Sequence, residues 1–167
     1  MNRAILWDMD GTLVDSAEYH WQAWRDTMSR EGSPITYEQF RATFGQRNDS
    51  ILRQWLDKKA TSELIQRIGD AKEALYRQHV RQQGISPLPG AFEWIHLLHR
   101  QGWLQAMASA GPRANIETIK QSWMSYTRAN ALKPLCPLKM YTEVSLTRKC
   151  SSLPAPNWVS HPSITSL

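Results

Sequence analysis

Near its start the chain reads AILW (residues 4–7), followed directly by DMDGTLVDS (residues 8–16). Four apolar residues in a row indicate a buried β-strand, and two carboxylates, Asp8 and Asp10, stand at its carboxyl end. Alternation along an extended chain directs both carboxylates to one side and Met9 to the other. In open α/β sheets, ligands bind at this edge. The pattern therefore predicts an α/β protein with a charged site at the tip of its first strand.

Asp8 and Asp10 are close enough to repel one another unless a cation or a proton lies between them. Mg²⁺ suits this pair, because it is a hard cation that takes one or two carboxylates together with phosphate oxygens. The pair also suits a covalent mechanism in which one carboxylate attacks phosphorus and the other transfers the proton. The plainer interpretation is a polar turn after a strand, where Asp, Gly and Thr are common for reasons of turn geometry.

A second strand and the turn after it carry the next candidate site. Residues 103–108 form an apolar segment that predicts a β-strand, and Ser109 follows it directly. A helix is predicted to begin at Arg113, so the Ser109 hydroxyl and the free N–H groups of the first helical turn would meet at one point. That combination binds phosphate. A serine that merely caps the helix is the alternative.

The segment between the two strands is predicted to be helical. Apolar spacing, capping residues and glycine stops indicate helices near residues 17–30, 37–44, 48–56, 62–83 and 91–101. The first four helices form one block, which we interpret as an insertion into the α/β unit. The residues expected to be buried on the last two helices are Leu64, Ile65, Ile68, Ala71, Leu75, Val80, Trp94, Ile95, Leu97 and Leu98.

Composition argues against several function classes. Residues 123–167 carry 5 Lys/Arg and 1 acid, whereas residues 1–122 carry 15 Lys/Arg and 14 Asp/Glu, so the net charge of +5 belongs mainly to the tail. Without a basic patch, nucleic-acid binding is not expected. There is no apolar run near the ~20 residues of a membrane span and no signal peptide, so we expect a cytoplasmic protein without a membrane partner. Cys136 and Cys150 indicate neither a disulfide framework nor a zinc site.

The string at residues 8–16 resembles the first motif of the haloacid dehalogenase superfamily of phosphohydrolases and phosphomutases. The resemblance implies that Asp8 is the nucleophile that forms an aspartyl-phosphate and that Asp10 is the general acid/base. It implies a Mg²⁺ ion held by the Asp8 side chain and the Asp10 backbone carbonyl. Ser109 resembles the second motif, so it would hold the transferring phosphoryl group with help from the backbone of Ala110.

The helical block resembles the cap of the β-phosphoglucomutase-like subfamily, in DSAEYH (residues 15–20), GQRNDS (residues 45–50) and KEALY (residues 72–76). The resemblance implies that His20 lies near the acid/base, that Arg47 binds the substrate's distal phosphate and that Lys72 faces the active site. Each has a plainer alternative: a helix-surface histidine, a solvated arginine, and a lysine on an exposed helical face. For Lys72 the exposed face is the favoured interpretation.

The fold implied is an incomplete Rossmann-like parallel sheet with an inserted α-helical cap. The core would comprise residues 1–15 and 88–122, the cap residues 16–87, and residues 123–167 an atypical, poorly ordered tail. The family also needs a lysine, usually before proline, and a pair of acids that completes the Mg²⁺ site. Residues 123–167 contain no Asp and a single Glu, Glu143. Lys133-Pro134 lacks a following strand-and-helix pattern, and Ser, Thr and Pro make up about a third of the tail.

We interpret this tail as the family's third motif translated in a changed reading frame. The codons that allow residues 138–151 also allow, in a second frame, the string SEDVHRGKPDPEVF, which resembles the family's Lys-Pro segment. Some of this match is forced, since the codons of Met140-Tyr141 leave only Val in that frame. The coding DNA tests the hypothesis, because stop codons or unrelated residues in the second frame would contradict it.

The function implied is Mg²⁺-dependent phosphoryl transfer, as a phosphatase or a phosphomutase, on a small phosphomonoester such as a sugar phosphate. An aspartyl-phosphate would be the intermediate. Because the third and fourth motifs are missing, we expect the chain as written to be impaired or inactive. The alternative is a non-catalytic interaction or phosphate-binding remnant of the same fold, and the sequence leaves the oligomeric state open.

Overall fold

The computed structural model describes residues 3–129 and 139–142, with side chains described through residue 128. The elements are, in chain order, β1 (Ala4–Asp8), α1 (Ala17–Arg30), α2 (Tyr37–Thr43), α3 (Asn48–Leu56), a 3₁₀ turn (Asp57–Lys59), α4 (Ser62–Gln83), α5 (Ala91–Arg100), β2 (Leu104–Ser109), α6 (Arg113–Ala129) and β3 (Lys139–Thr142).

The strands form a parallel sheet in the order β1-β2-β3. Asp8, the last residue of β1, is paired with Ala108, so the carboxyl end of β1 lies beside Ser109 at the end of β2. The predicted α/β class with a parallel sheet is confirmed. This register brings both candidate sites to one edge of the sheet.

Local signals set most helix boundaries. The Thr36 side chain accepts a hydrogen bond from the Gln39 N–H, while the Gln39 side chain accepts one from the Thr36 N–H, which is the predicted capping box of α2. Helix α4 begins after the Thr61 cap and ends at Gly84, whose φ of +72° suits glycine. These interactions lie within a few residues of chain, so the sequence predicts them well.

Two apolar clusters hold the molecule together. One lies under the sheet and includes Met9, Tyr76, Met107 and Ile116. The other lies among α1 to α4. Its members are Trp24, Met28, Phe40, Ile51, Leu52, Leu56, Ile65 and Ile68. Helices α1 and α4 contribute to both clusters, so they connect the inserted helices to the sheet.

The burial predicted for α4 is partly wrong. Its buried residues are Ile65, Ile68, Gly69, Lys72, Glu73, Tyr76 and Val80, a stripe with helical spacing, and Ala71 falls off this stripe and is exposed. Hydropathy predicts that Ala71 is buried, but the larger residues at either end of the helix determine which face of the helix is buried. Lys72 and Glu73 therefore occupy interior positions that apolar spacing did not assign to them.

The burial predicted for α5 is also partly wrong. Ile95 and Leu98 are buried together with Ala91 and Phe92, whereas Trp94 is 57% exposed and Leu97 is exposed. The buried face follows residues 91, 92, 95 and 98, so Trp94 and Leu97 lie at its border. The apolar character of this helix extends further around its circumference than its buried face.

Regular structure extends past the point where periodicity was expected to fade. Helix α6 continues to Ala129, with Trp123 and Thr127 on the same buried stripe as Ile116 and Ile119. β3 adds a further strand, Lys139–Thr142. Lys133-Pro134, Glu143 and most of the segment covered by the reading-frame hypothesis fall on residues 130–138 and 143–167, outside the described residues. Within the part of the chain that is described, no helix is long and apolar enough to cross a membrane.

Candidate active site

A cavity of about 680 Å³ lies between the carboxyl edge of the sheet and the inserted helices. All seven residues singled out from the sequence line it, namely Asp8, Asp10, His20, Arg47, Lys72, Ser109 and Ala110. They come from β1 and the turn after it, from α1, from the residue before α3, from α4, and from the end of β2 with the residue after it. The structure therefore brings together every predicted site residue around one space.

The turn after β1 places the two carboxylates. The carbonyl oxygen of Met9 accepts hydrogen bonds from the N–H groups of Leu13 (3.0 Å) and Val14 (3.1 Å), and Met9 itself is buried. Gly11 allows this turn through a φ of +74°. With Met9 directed into the core, Asp8 and Asp10 both line the cavity, as strand alternation predicts.

Asp10 is held by two neighbouring side chains. Its Oδ1 accepts a hydrogen bond from the Ser16 hydroxyl at 2.5 Å and lies 3.3 Å from Nε2 of His20. Burial alone would raise the pKa of Asp10, but the interactions with His20, Ser16 and Lys72 outweigh it and hold the pKa below its ordinary value. The carboxylate form of Asp10 is therefore favoured, in a fixed orientation.

His20 connects Asp10 to Lys72. The Lys72 ammonium donates to Nδ1 of His20 at 2.9 Å, and because an ammonium has donors alone, Nδ1 must accept. The proton of neutral His20 is then on Nε2, which donates to Asp10. The ring stacks on Tyr76 at 4.1 Å, and burial together with the Lys72 charge lowers the pKa of His20. The helix-surface interpretation of His20 is therefore wrong.

Lys72 is an interior residue, so the favoured interpretation of an exposed lysine is also wrong. Its side chain is 3% exposed, and its ammonium is 2.8 Å from the carboxylate of Glu73. Burial lowers the pKa of Lys72, and the Glu73 carboxylate opposes that effect. The cost of burying each charge is offset by its partner.

Glu73 accepts hydrogen bonds from several side chains of the site, and sequence reasoning did not identify it. Its Oε1 accepts from Asn48 of α3 (2.7 Å) and from Lys72, and its Oε2 accepts from Asn115 of α6 (2.6 Å). Burial would raise the pKa of Glu73, but these partners lower it overall. Asn115 also accepts from Arg77 at 3.0 Å. Glu73 therefore joins the inserted helices to the first turn of α6.

Ser109 is buried at the end of β2, and its hydroxyl oxygen accepts a hydrogen bond from the Gly111 N–H at 3.1 Å. That bond leaves the hydroxyl proton able to serve as a donor toward the cavity. A Cβ on Gly111 would approach the Ser109 oxygen to 3.3 Å, so the turn is closely packed. Ala110 follows, and the N-terminal end of α6 lies three residues further on. The arrangement is suited to an anion.

Arg47 lies at the rim of the cavity, just before α3. Its side chain is 59% exposed, and its Nε is 3.3 Å from the carboxylate of Asp49. A substrate ligand and a solvated cation both fit this position.

The side chains that line the cavity indicate whether it could hold Mg²⁺. Among the described residues, no group of three or more His, Cys, Asp or Glu side chains is placed to hold a metal ion. Asp8 and Asp10 nevertheless fit Mg²⁺, which commonly takes one or two carboxylates and completes its shell with water and substrate phosphate.

Comparisons with known proteins agree with the sequence resemblance. The family model of the haloacid dehalogenase-like hydrolases matches residues 5–122. Protein CbbY of Rhodobacter capsulatus is 26% identical over 123 residues, which cover 70% of this chain and 54% of that protein. The chain thus spans about half the length of this curated relative.

Solved structures share the fold. CbbY from Rhodobacter sphaeroides in complex with phosphate aligns with a TM-score of 0.64 at 24% identity, over 73% of this chain and 57% of that one. β-Phosphoglucomutase from Clostridium difficile aligns with a TM-score of 0.56 at 22% identity, over 66% and 52%. With the family match over residues 5–122, the predicted resemblance is confirmed: the chain belongs to the haloacid dehalogenase-like hydrolases.

Proposed function

We propose that the cavity serves phosphoryl transfer from a small phosphomonoester, with Asp8 as the nucleophile and Asp10 as the general acid/base. The observation that carries the proposal is the convergence of Asp8, Asp10 and Ser109 at one edge of the sheet, on one cavity. An anion-binding turn beside two carboxylates suits a phosphate whose charge is neutralised there. CbbY from Rhodobacter sphaeroides, which shares the fold, has been crystallised with phosphate.

In the first step an Asp8 oxygen forms a bond to phosphorus, and the bond from phosphorus to the ester oxygen breaks. Asp10 gives its proton to the departing oxygen. In the second step Asp10 takes a proton from water, whose oxygen bonds to phosphorus as the bond to Asp8 breaks, which releases inorganic phosphate. The lowered pKa of Asp10 favours the second of its two roles. A bound phosphate dianion would raise the pKa of Asp10 and so assist the first role.

Three side chains prepare these steps. Ser16 and His20 fix the Asp10 carboxylate, and the Ser109 hydroxyl would donate to a phosphoryl oxygen. Mg²⁺ would be held by the Asp8 carboxylate and the Asp10 backbone carbonyl, and it would supply positive charge that offsets the negative charges of Asp8 and phosphate. The inserted helices would exclude water from the bound substrate.

We further propose that turnover by this chain is low. Residues 123–167 contain no Asp and a single Glu, so this segment lacks the acid pair expected to complete the Mg²⁺ site. Among the described cations that line the cavity, Lys72 is paired with Glu73 at 2.8 Å and so is not available to balance the charge of Asp8 and phosphate. Phosphate binding without turnover is the second candidate function, and the same missing residues favour it.

The test is Mg²⁺-dependent cleavage of p-nitrophenyl phosphate by the full chain. We expect slow cleavage that Asp8→Asn abolishes and that Asp15→Asn, an exposed acid in the same segment, leaves unchanged. Cleavage that survives Asp8→Asn would contradict the proposed nucleophile. Robust turnover that requires Asp8 would overturn the proposed impairment. Binding of phosphate without cleavage would favour the second candidate.

A further inference from the structure

We infer that this cavity takes a substrate with a single phosphate and an uncharged body, and that it does not favour a bisphosphate. This substrate class rests on the proposed function and deepens it. The core side of the cavity is suited to one anion, through Ser109 and the N-terminal end of α6 with Arg113. The opposite wall, formed by residues of the inserted helices, has a different character.

Lys72, the cation expected to face the substrate, is already engaged. Two of its three N–H donors are directed to Glu73 at 2.8 Å and His20 at 2.9 Å. Its ammonium lies 5.2 Å from the centre of the Trp24 ring and 5.6 Å from that of Tyr76. With the side chain 3% exposed, Lys72 has little surface left to offer a phosphate. Lys72 therefore acts through His20 and does not serve as a phosphate ligand.

The remaining charges on this wall do not favour a second phosphate. Arg47 projects at the rim, but the Asp49 carboxylate accompanies it at 3.3 Å, and Asp70 lines the same wall. Among the described lining residues of the inserted helices, Asp49, Asp70 and Glu73 outnumber Arg47 and Lys72. Phosphate recognition ordinarily relies on an excess of Arg and Lys. A second dianion would meet a wall whose net charge is negative.

Five apolar or aromatic side chains also contribute to this wall, next to the polar side chains of Gln46, Asn48 and Gln66. Trp24, Phe40, Phe44, Ile51 and Ile65 all line the cavity, and the Phe44 ring lies 6.0 Å from that of His20. Such a surface complements an uncharged body with apolar faces. The two walls together fit a molecule with one ionic end.

This distribution of charge distinguishes between the two reactions that the sequence left open. A mutase passes through a bisphosphate, formed when the aspartyl-phosphate transfers its phosphoryl group to a second hydroxyl of a monophosphate. A wall that disfavours a second phosphate leaves water as the acceptor. Oxygen of water then bonds to phosphorus, the bond to Asp8 breaks, and the proton goes to Asp10. The structure thus points to a phosphatase.

The test compares binding of a hexose 6-phosphate, a hexose 1,6-bisphosphate and inorganic phosphate to the full chain by isothermal titration calorimetry with Mg²⁺. We expect the monophosphate to bind at least as tightly as the bisphosphate. The double variant Asp49→Asn/Asp70→Asn should tighten bisphosphate binding about tenfold with little change for the monophosphate, because two negative charges near the second phosphate are removed. Asp57→Asn, an exposed acid outside the cavity, is the matched control.

The outcomes separate the two proposals. A bisphosphate that binds about tenfold more tightly than the monophosphate would overturn the inference and leave the proposed function standing. If none of the three compounds binds, the proposed function fails and the inference fails with it. Should the double variant, or Asp70→Asn alone, leave bisphosphate affinity at the level of Asp57→Asn, the charge of this wall is not what selects the substrate.

Discussion

The inserted helices and the sheet core differ in how completely they bury their apolar surface. Among α1 to α4, a continuous cluster includes Trp24, Met28 and Leu52, each at most 2% exposed. The sheet buries Met107 on one face, but on the other face Leu6 and Leu104 are 47% and 61% exposed. The register pairs Ala4 with Leu104 and Leu6 with Ala106, so these residues share a single open face.

The difference follows from the two kinds of structure. A helical bundle buries its apolar faces through neighbours that are near in sequence, so a block of about 70 residues can be complete by itself. A parallel sheet is normally covered on both faces by helices from a longer stretch of chain. The inserted helices therefore carry more of their own stabilising contacts than the sheet does, and Glu73 is one of the polar links between the two regions.

The largest effect should come from breaking that link. Glu73→Ala leaves the Lys72 ammonium buried without its carboxylate, and it removes the acceptor of Asn48 and Asn115. We expect the free energy of unfolding to fall by about 3–5 kcal/mol in urea titrations. Glu63→Ala, an exposed acid on the same helix, should change it by less than about 0.5 kcal/mol. Equal effects of the two variants would show that Glu73 does not join the regions.

The second prediction applies the same substitution, Leu to Ala, to each of the two regions. Leu52→Ala removes a fully buried side chain from the helical cluster and should cost about 2–5 kcal/mol of unfolding free energy. Leu104→Ala, on the open face of the sheet, should cost less than about 0.5 kcal/mol. Chemical denaturation of both variants checks the contrast. A large loss for Leu104→Ala would mean that this face is covered in solution.

The smallest predicted effect is the pH dependence of the free energy of unfolding. Burial and the Lys72 charge hold the pKa of His20 below its ordinary value of 6.5. As the pH falls below 6.5, His20 is therefore protonated in the unfolded chain before it is protonated in the folded chain. The free energy of unfolding should therefore fall as the pH decreases below about 6.5. His20→Gln should make the urea midpoint less dependent on pH between about 7.5 and 5.5, whereas the exposed His99→Gln should not. Parallel pH profiles for all three proteins would contradict the burial of neutral His20.

Local interactions explain why much of the fold was predictable. The Thr36–Gln39 capping box and the Gly84 stop depend on residues a few positions apart, so the sequence contains the whole interaction. The two carboxylates at the tip of β1 were predictable for the same reason. Strand alternation and a turn at Gly11 are enough to direct them.

Long-range polar pairing explains what was missed. Glu73 and Asn115 are 42 residues apart, and their hydrogen bond depends on how α4 packs against α6. Hydropathy predicts that Lys72 is exposed, because it assigns lysine to solvent, yet Lys72 continues the buried stripe that contains Ile65, Ile68 and Tyr76. The sequence does place a base and an acid, Lys72 and Glu73, next to each other on that stripe. A buried charge requires a partner, and helical spacing could have shown that both were interior.

The tip of β1 and the Ser109 turn are proposed to form one phosphoryl site. Titration of inorganic phosphate into the full chain with Mg²⁺ tests it most directly, with Ser109→Ala compared with the exposed Ser125→Ala. We expect Ser109→Ala to raise the dissociation constant by about tenfold or more, because a hydrogen bond to a charged group is lost, and Ser125→Ala to leave it unchanged. Equal dissociation constants for Ser109→Ala and the native chain would contradict the claim.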